Sequence, residues 1–521
     1  MDDNPATVPY PKRWWALSAL VVSLLVIGLD ITILNVALPT LATELEADNG
    51  DLQWIADSYT LVFAGLLLPA GVLGDRYGRK RLILIGLLIF GAASAASAWS
   101  PDATTLIWTR ALLGLGAAII TPLSLSILPA MFPEEERGKA IALWTTGMVL
   151  GLPLGPILGG YLVENFWWGS VFLINVPVIA VGVVCAAFLL PESRAPGRPG
   201  VDLVGGLLST AGLCSLLYGI IEGPGRGWTD TVIVTSLAAG SILLVTFVLW
   251  EGRTREPLID LPLFRDRTFT VATVALTVVS FVLYGILFVI PQYLQVVLGN
   301  SAFGTGMRLL PLVVAYMLGA VLSDLLVSRI GVRWTVGSGL FVLGLGLVVM
   351  AGIDETSTYS TTVVAMVVLG IGLGAALPPA VEMVMAVLPP ARRGSGTALT
   401  TALRQVGGAV GIAVLGSMLA SIYSDRVGSA AGDLPPQTQA TVRDSVAAAS
   451  AVADTMGAAG DSLRQASFKA FTDGMSSLSI VCSIVAFLGA VVVAILLPKE
   501  TVRETAEAGN DPAFAEGAEH T

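Results

Sequence analysis

A small set of charged residues lies inside long apolar stretches of this chain, where a charge is costly and is usually retained for function. Asp30, Asp57, Arg110, Glu382 and Arg404 each stand alone in a run of otherwise uncharged residues. Desolvation penalises the charged form of a carboxylate. Such a group can therefore take up a proton on one side of a hydrocarbon layer and release it on the other. A lone arginine there must find a counterion.

Residues suited to other chemistry are scarce. The single histidine, His520, is next to last in a polar tail, and Cys185, Cys214 and Cys482 lie in apolar runs. This argues against a catalytic triad or a histidine metal site, and favours inert thiols over a disulfide. The chain also lacks the Gly-x-x-x-x-Gly-Lys-Ser/Thr loop of an ATPase. We expect no enzymatic activity, no metal and no cofactor, so any step that needs energy would have to draw on an ion gradient.

The composition places these charges in a membrane protein. Of the 521 residues, 55% are hydrophobic and 13% are charged, whereas a soluble domain carries about 25% charged residues. Soluble domains of this total length would need far more surface charge. The net charge of −10 argues against a nucleic-acid partner.

Fourteen runs are apolar enough to span a bilayer as helices of about 20 residues. The first is too long for a signal peptide and is followed by further runs. One long connection, 425–468, precedes the last run, and the acidic tail 499–521 is predicted to be disordered. The runs are Trp14–Thr43, Leu52–Gly74, Leu82–Pro101, Ala103–Pro133, Ala140–Val163, Asn165–Pro191, Leu203–Ile221, Thr231–Trp250, Thr268–Pro291, Leu309–Val327, Trp334–Ile353, Thr356–Pro390, Gly394–Ser424 and Gly474–Pro498.

The basic residues predict the orientation. Most of the 28 lysines and arginines fall in alternate connections, on the same side as Lys12, Arg13 and Lys499. Cytoplasmic loops are enriched in basic residues. We therefore expect a multi-pass protein of the inner (cytoplasmic) membrane with both termini cytoplasmic. The N-terminal cytoplasmic segment is residues 1–13.

The chain also contains an internal repeat. Gly370 matches Gly114 at a shift of 256 residues, and Gly331 matches Gly78 at a shift of 253. Repeats with a site between the two halves are typical of secondary transporters. The predicted fold is an all-α integral membrane protein with fourteen transmembrane helices: a six-helix bundle at 14–191, two inserted spans at 203–250 and a second six-helix bundle at 268–498.

Several motifs resemble those of the major facilitator superfamily, and in particular its fourteen-helix drug:proton antiporters. The match between spans two and three is nearly residue for residue. Leu113 departs from the span-four motif, where glutamine is common. The matching segments are Gly71-Val72-Leu73-Gly74-Asp75-Arg76-Tyr77-Gly78-Arg79-Lys80-Arg81, Arg110-x-x-x-Gly114-x-Gly116, Gly151-x-x-x-Gly155-Pro156-x-x-Gly159-Gly160 and Leu29-Asp30-x-Thr32-x-x-Asn35.

The resemblance implies that proton coupling uses Asp30, Arg110 and Asp57. Asp30 lies about 16 residues, or roughly 24 Å, from the inner end of its helix, which places it in the outer half of the membrane. Pairing of Arg110 with a carboxylate of span one would couple protonation to helix movement. The alternatives are a structural hydrogen bond for Asp30, a static ion pair for Arg110 and an interfacial charge for Asp57.

The connection between spans two and three is a candidate gate. Topology alone needs no acid in this basic segment, so Asp75 suggests a charge latch that closes the inner face. Simple positive-inside charge is the alternative. In the second half Ser328 stands in the place of Asp75, which predicts a weaker latch there. The candidate gating residues are Gly71, Asp75, Arg76, Gly78, Arg79 and Lys80.

The glycines of span five repeat at a spacing that lets two helices approach closely. Gly151, Gly155, Gly159 and Gly160 form this pattern, and Pro156 can kink the helix. The resemblance implies a leak-tight antiporter interface, and ordinary packing is the alternative.

The candidate substrate-binding residues are Asp57, Glu382 and Tyr316. Tyr316 stands where some relatives carry an acid, which argues against strict recognition of dications. Arg404, with Gln405, is a candidate for a structural or gating role. We predict a monomeric, proton-driven exporter whose partners are protons, the lipid bilayer and small amphipathic, often cationic, drugs.

Other functions remain open at this stage. One is a dedicated exporter of a single antibiotic, siderophore or metabolite, or a metal–tetracycline exchanger. A membrane enzyme or lipid-handling protein would need a catalytic constellation, and none is evident. The repeat and the antiporter motif argue against a channel.

Overall fold

The computed structural model of this chain describes residues 10–45, 47, 49–194, 202–254, 257–259, 261–389, 393–428 and 434–497. Within these residues the chain is almost entirely helical and forms no β-strand. The predicted disordered tail, 499–521, lies outside them. The helices are α1 (Arg13–Glu44), α2 (Asn49–Tyr77), α3 (Arg79–Ala98), α4 (Ala103–Ser126), α5 (Leu128–Met131), α6 (Glu134–Asn165), α7 (Ser170–Leu173), α8 (Asn175–Leu189), α9 (Leu203–Arg226), α10 (Thr231–Glu251), α11 (Arg267–Gln292), α12 (Ala302–Ala351), α13 (Tyr359–Val387), α14 (Arg393–Val427), α15 (Pro436–Asp444), α16 (Val446–Met456) and α17 (Asp461–Leu496).

The described helices include 13 stretches long and apolar enough to cross a membrane. One of these stretches lies in α12, whose 50 residues would extend roughly 75 Å, more than twice the thickness of a bilayer core. α12 breaks at Gly331, which has φ 81° and ψ 162°, a conformation that glycine adopts readily. Dividing α12 there gives fourteen spans, consistent with the count from the sequence. Fourteen spans place the start of α1 and the end of α17 on one side, here called the terminal side.

Aspartates mark the starts of several helices, because their side chains satisfy backbone amides that have no partner within the helix. Asp102 accepts a hydrogen bond from the Thr105 amide at the start of α4. Asp230 accepts one from the Val232 amide at the start of α10. Asp266 does the same at the start of α11. These acids lie at the span ends and have a local structural role.

The internal repeat reappears as equivalent packing. A Cβ on Gly114 would lie 2.5 Å from the carbonyl oxygen of Tyr59, so α4 packs closely on α2. Gly370, which is 256 residues after Gly114, contacts the carbonyl of Leu312, which is 253 residues after Tyr59. The two shifts found in the sequence therefore belong to one packing arrangement that occurs twice.

The two halves, α1–α8 and α11–α17, meet along a few helices. α6 packs against α12 and α13, and α2 packs against α14. Of the two inserted spans, α9 contacts both α2 and α14, whereas α10 packs chiefly on α9. α9 therefore touches both halves at one edge of their interface.

The long outer connection, 425–468, is more helical than the sequence indicated. α14 continues to Val427, and α17 begins at Asp461. Ser445 accepts a hydrogen bond from the Ala448 amide, which starts α16 and separates it from α15. The helical part of the connection is therefore divided at Ser445. Tyr423 anchors the segment by donating a hydrogen bond of 3.0 Å to the Val442 carbonyl.

Candidate functional site

Asp30 of α1 and Arg110 of α4 form an ion pair inside the first half. Arg110 Nη1 donates a hydrogen bond of 2.5 Å to Asp30 Oδ2. Asp30 is 0% exposed and Arg110 is 1% exposed. Two charges withdrawn from water in this way depend on each other, because either one alone would carry a large desolvation penalty.

Three further helices hold this pair in place. Asn175 of α8 donates a hydrogen bond of 3.2 Å to Asp30 Oδ1 and one of 3.0 Å to Ser94 Oγ of α3. Arg110 Nε donates to the Ile55 carbonyl of α2 at 3.2 Å. Its guanidinium also lies 4.7 Å from the ring centre of Tyr59, within range of a cation–π interaction. Five helices therefore converge on one carboxylate.

The glycines of α6 form the surface on which α1 lies. A Cβ on Gly151 would lie 2.5 Å from the Leu25 carbonyl oxygen and 2.5 Å from the Leu29 amide nitrogen. Gly155 contacts Thr32 equally closely, and Gly159 faces Ile33. α6 continues as a helix through Pro156 without interruption. The turn of α1 that carries Asp30 therefore packs directly against the glycines of the predicted antiporter motif.

At the terminal side, Asp75 links the two halves. It lies at the end of α2 and is 1% exposed. Its Oδ1 accepts hydrogen bonds from Arg79 Nη2 at 2.7 Å and from the Gly394 amide at 3.0 Å, and its Oδ2 accepts one from the Ser395 amide at 3.1 Å. Gly394 and Ser395 belong to the first turn of α14, where unpaired amides and the helix dipole favour an anion.

The other gating candidates surround this contact. Gly78 separates α2 from α3 at φ 111°, so the segment read as a loop is a sharp break between two helices. Gly71 lies against the Gly394 carbonyl, where a Cβ would come within 2.5 Å. Arg76 stacks on its neighbour Tyr77. Lys80 lies in the first turn of α3 and is partly exposed.

In the second half the equivalent position is occupied differently. Ser328 donates its hydroxyl hydrogen bond to the Leu325 carbonyl of its own helix. The repeat partner of Gly394 is Gly138 of α6, and a Cβ on Gly138 would lie 3.1 Å from Asp324 Oδ1 and 3.1 Å from Glu382 Oε2. Glu382 therefore lies at the terminal-side interface between α13 and α6.

Two cavities lie between the halves. The larger, of about 430 Å³, includes Tyr316 in a lining that is otherwise aliphatic, with Val149 of α6 contributed by the first half. The smaller, of about 250 Å³, is lined by Arg404, threonines of α14 and aliphatic residues, with Leu125 of α4 contributed by the first half. Tyr316 and Arg404 lie close enough to interact electrostatically.

Asp57 lies apart from these cavities. It is in α2 beside the inserted helix α9, and its Oδ2 is buried without a hydrogen-bond partner among the described residues. The nearest acid to influence it is Glu222 of α9. Glu222 accepts a hydrogen bond of 3.0 Å from Arg226. Close by, the Trp54 and Tyr218 rings stack with their centres 5.9 Å apart.

Sequence reasoning brought forward Asp30 and Arg110 but missed their polar neighbours. Asn175 and Ser94 are single uncharged polar residues in apolar runs, which gave no charge to search for. Asn175 could have been found as an amide in the middle of a predicted span, where it must be hydrogen-bonded. Asp324 lies near the end of the predicted span Leu309–Val327, and no local pattern pairs it with Glu382.

Comparisons with known proteins agree with this architecture. The family model of the Major Facilitator Superfamily matches residues 20–412. The chain is 32% identical to the multidrug efflux pump LfrA of Mycolicibacterium smegmatis, over 95% of this chain and 98% of that protein. It is 32% identical to the tetracenomycin C resistance and export protein of Streptomyces glaucescens, over 94% and 92%.

Among solved structures, the fold resembles a bacterial homologue of the human lysosomal transporter Spinster in an inward-facing, unoccupied conformation. The TM-score is 0.58 at 19% sequence identity, over 93% of this chain and 98% of that chain. The fold is that of a multi-pass membrane transporter. This chain belongs to the Major Facilitator Superfamily, as its motifs predicted, and its relatives include named multidrug efflux and resistance proteins.

Proposed function

We propose that this protein is a proton-coupled antiporter that exports small amphipathic, often cationic, drugs across the cytoplasmic membrane. The observation that carries the proposal is the Asp30–Arg110 pair, in which a fully buried carboxylate is balanced by one arginine. Protonation of Asp30 would remove the negative charge and leave Arg110 uncompensated. An uncompensated charge in a low-dielectric site is strongly unfavourable, so protonation of Asp30 favours a different arrangement of α1 and α4.

The movement coupled to protonation is alternating access between the two halves. The bonds from Asp75 to the start of α14 hold the terminal side closed, and we take this side as cytoplasmic from the distribution of basic residues. Proton entry from outside onto Asp30 would accompany drug release, and opening at Asp75 would follow. Asp57 is the second candidate for proton or cation binding. The protein acts as a monomer in the bilayer and uses no cofactor.

The test is transport by the purified protein in proteoliposomes, with an imposed pH gradient and ethidium as the probe. We expect gradient-driven ethidium transport in the natural protein and none in Asp30→Asn. The matched control is Asp425→Asn, which changes an exposed acid near the end of α14. Full pH-driven transport by Asp30→Asn would overturn the assignment of Asp30.

A dedicated exporter of one compound is the second candidate. The relative named for tetracenomycin C resistance and export supports this alternative, because a chain of similar length and 32% identity is named for a single antibiotic. A resistance panel in a pump-deficient host separates the two. Protection against several unrelated amphipathic drugs supports the broad range, and protection against one compound supports the narrow one.

A further inference from the structure

Arg404 is a cation within the membrane-spanning part of the protein, and no acid pairs with it among the described residues. It lies eleven residues after the start of α14 at Arg393, or roughly 17 Å from the terminal end of that helix. Its Nε donates a hydrogen bond of 3.2 Å to Ser280 Oγ of α11. In the described part of the chain, no carboxylate forms an ion pair with Arg404, and its two terminal nitrogens have no hydrogen-bond partner.

The ionisable groups around Arg404 do not neutralise it. Tyr284 and Tyr316 are the groups that interact with it electrostatically, and phenols carry no charge near neutral pH. Glu382 is the acid nearest in sequence to the cavity-lining residues of α13, but its carboxylate lies beside Gly138 of α6. Arg404 is only partly buried, so a counterion from outside the chain can reach it.

The cavity that Arg404 lines offers a place where an external counterion could bind. Its wall includes the side chains of Thr397, Thr400 and Thr401. Each of these hydroxyls already donates to a backbone carbonyl, as in the bond from Thr400 to Gly396 at 3.0 Å. The threonines therefore supply polar surface without offering a competing donor. The terminal nitrogens of Arg404 are the free donors, in the fork geometry that matches a carboxylate.

The larger cavity has Tyr316 in its wall, and Tyr316 lies close enough to Arg404 to interact with it electrostatically. It encloses about 430 Å³ of space between side chains of the two halves. Its aliphatic lining suits an apolar body. The smaller cavity, at about 250 Å³, is lined by Arg404 itself.

We propose that Arg404 binds an anionic group, a carboxylate or phenolate, of the exported compound while the apolar body occupies the Tyr316 cavity. The site thus selects zwitterionic or acidic amphipathic drugs in addition to cationic ones. This inference rests on the proposed export function and specifies its substrate class. It gives Arg404 a role in substrate selection in place of the structural or gating role considered from the sequence.

The experiment compares binding of rhodamine B, which has a free carboxylate, with binding of its ethyl ester. The protein is held in nanodiscs, and dye binding is followed by fluorescence polarisation. The natural protein should bind the acid at least as tightly as the ester, and benzoate should compete more strongly with the acid. Arg404→Gln should lower the affinity for the acid relative to that for the ester by about tenfold or more, as expected for loss of a charge-assisted hydrogen bond.

Control variants separate charge recognition from damage to the fold. Arg404→Lys should lose less of the acid preference than Arg404→Gln, because it keeps the charge but not the fork. Arg253→Gln, at an exposed position, should leave the ratio unchanged. If Arg404→Gln does not fold, benzoate competition in the natural protein decides the question alone.

The contrary results are distinct. An acid-to-ester ratio that does not respond to Arg404→Gln, or benzoate that competes equally with both dyes, would overturn this proposal and leave the exporter intact. Binding of neither dye would overturn the proposed substrate range together with this inference.

Discussion

Arg110 and Arg404, the arginines within the spans of the two halves, have different surroundings. Arg110 in the first half has Asp30 at 2.5 Å, a backbone carbonyl and an aromatic ring, and is 1% exposed. Arg404 in the second half has one serine hydroxyl and borders a cavity. The repeat does not preserve the pair, because Met366 stands 256 residues after Arg110. The first half supplies a counterion for its arginine, whereas the described residues of the second half supply none for Arg404.

This difference indicates a division of labour between the halves. A closed pair can respond to protonation, because adding one proton to Asp30 leaves Arg110 unbalanced. An open cation can respond to a ligand that brings a negative charge. The predictions that follow test whether the halves differ in this way.

The largest effect is expected from breaking the closed pair. Asp30→Asn leaves Arg110 buried and unpaired, which should destabilise the protein by about 3–5 kcal/mol. The double variant Asp30→Asn/Arg110→Gln should recover much of that loss, because it removes both charges. Thermal unfolding in detergent, followed by tryptophan fluorescence, measures both. A double variant no more stable than Asp30→Asn would indicate that the pair is not a balanced unit.

A smaller loss of stability is expected from adding a methyl group to the glycine surface of α6 on which α1 lies. Gly155→Ala puts a methyl group into Thr32, and crowding of this kind costs about 1–3 kcal/mol. The control is Gly416→Ala in the second half, where the nearest contact would be 3.5 Å from Phe288 and little change is expected. Equal unfolding temperatures for the two variants would contradict a tight α1–α6 contact.

Weakening the latch at Asp75 should have a free-energy cost of similar size. Asp75→Asn weakens the bonds to α14, and an imperfectly satisfied buried group costs about 1–3 kcal/mol, so the closed terminal side should be less populated. Ser328→Ala should change little, because that hydroxyl bonds within its own helix. Alkylation of a cysteine placed at Thr400 reports opening. Equal labelling rates in the two variants would place the latch elsewhere.

The smallest effect is expected at the open cation. Arg404→Gln removes a charge and leaves no unpaired acid behind. The free energy of unfolding should therefore stay unchanged or rise by less than about 1 kcal/mol, with a correspondingly small change in the unfolding temperature. The same measurement applied to Arg110→Gln, which strands Asp30, should show a large loss. A drop for Arg404→Gln as large as that for Arg110→Gln would mean that Arg404 has a counterion in the protein.

Much of the fold could be predicted from the residues themselves. The runs around α8 and α10 are almost purely apolar, so length and hydropathy define them. The break at Gly331 could be inferred from its match to Gly78. The connection 425–468 could not, because its small polar residues are compatible with loop or helix, and contacts such as Tyr423 to Val442 decide between them.

The sequence by itself determined that charges such as Asp30, Arg110 and Arg404 lie inside apolar spans and are few, because hydrocarbon tolerates them only where they act. It suggested a carboxylate of span one as the partner of Arg110, but it did not determine the other contacts. Asp30 and Arg110 are 80 positions apart, and Asp75 and Gly394 are 319 apart. Only helix packing brings such residues within hydrogen-bond distance, and that packing places no acid against Arg404 in the described part of the chain. Electrostatic pairing falls steeply with distance, so the tertiary structure decides which charge is closed and which is open.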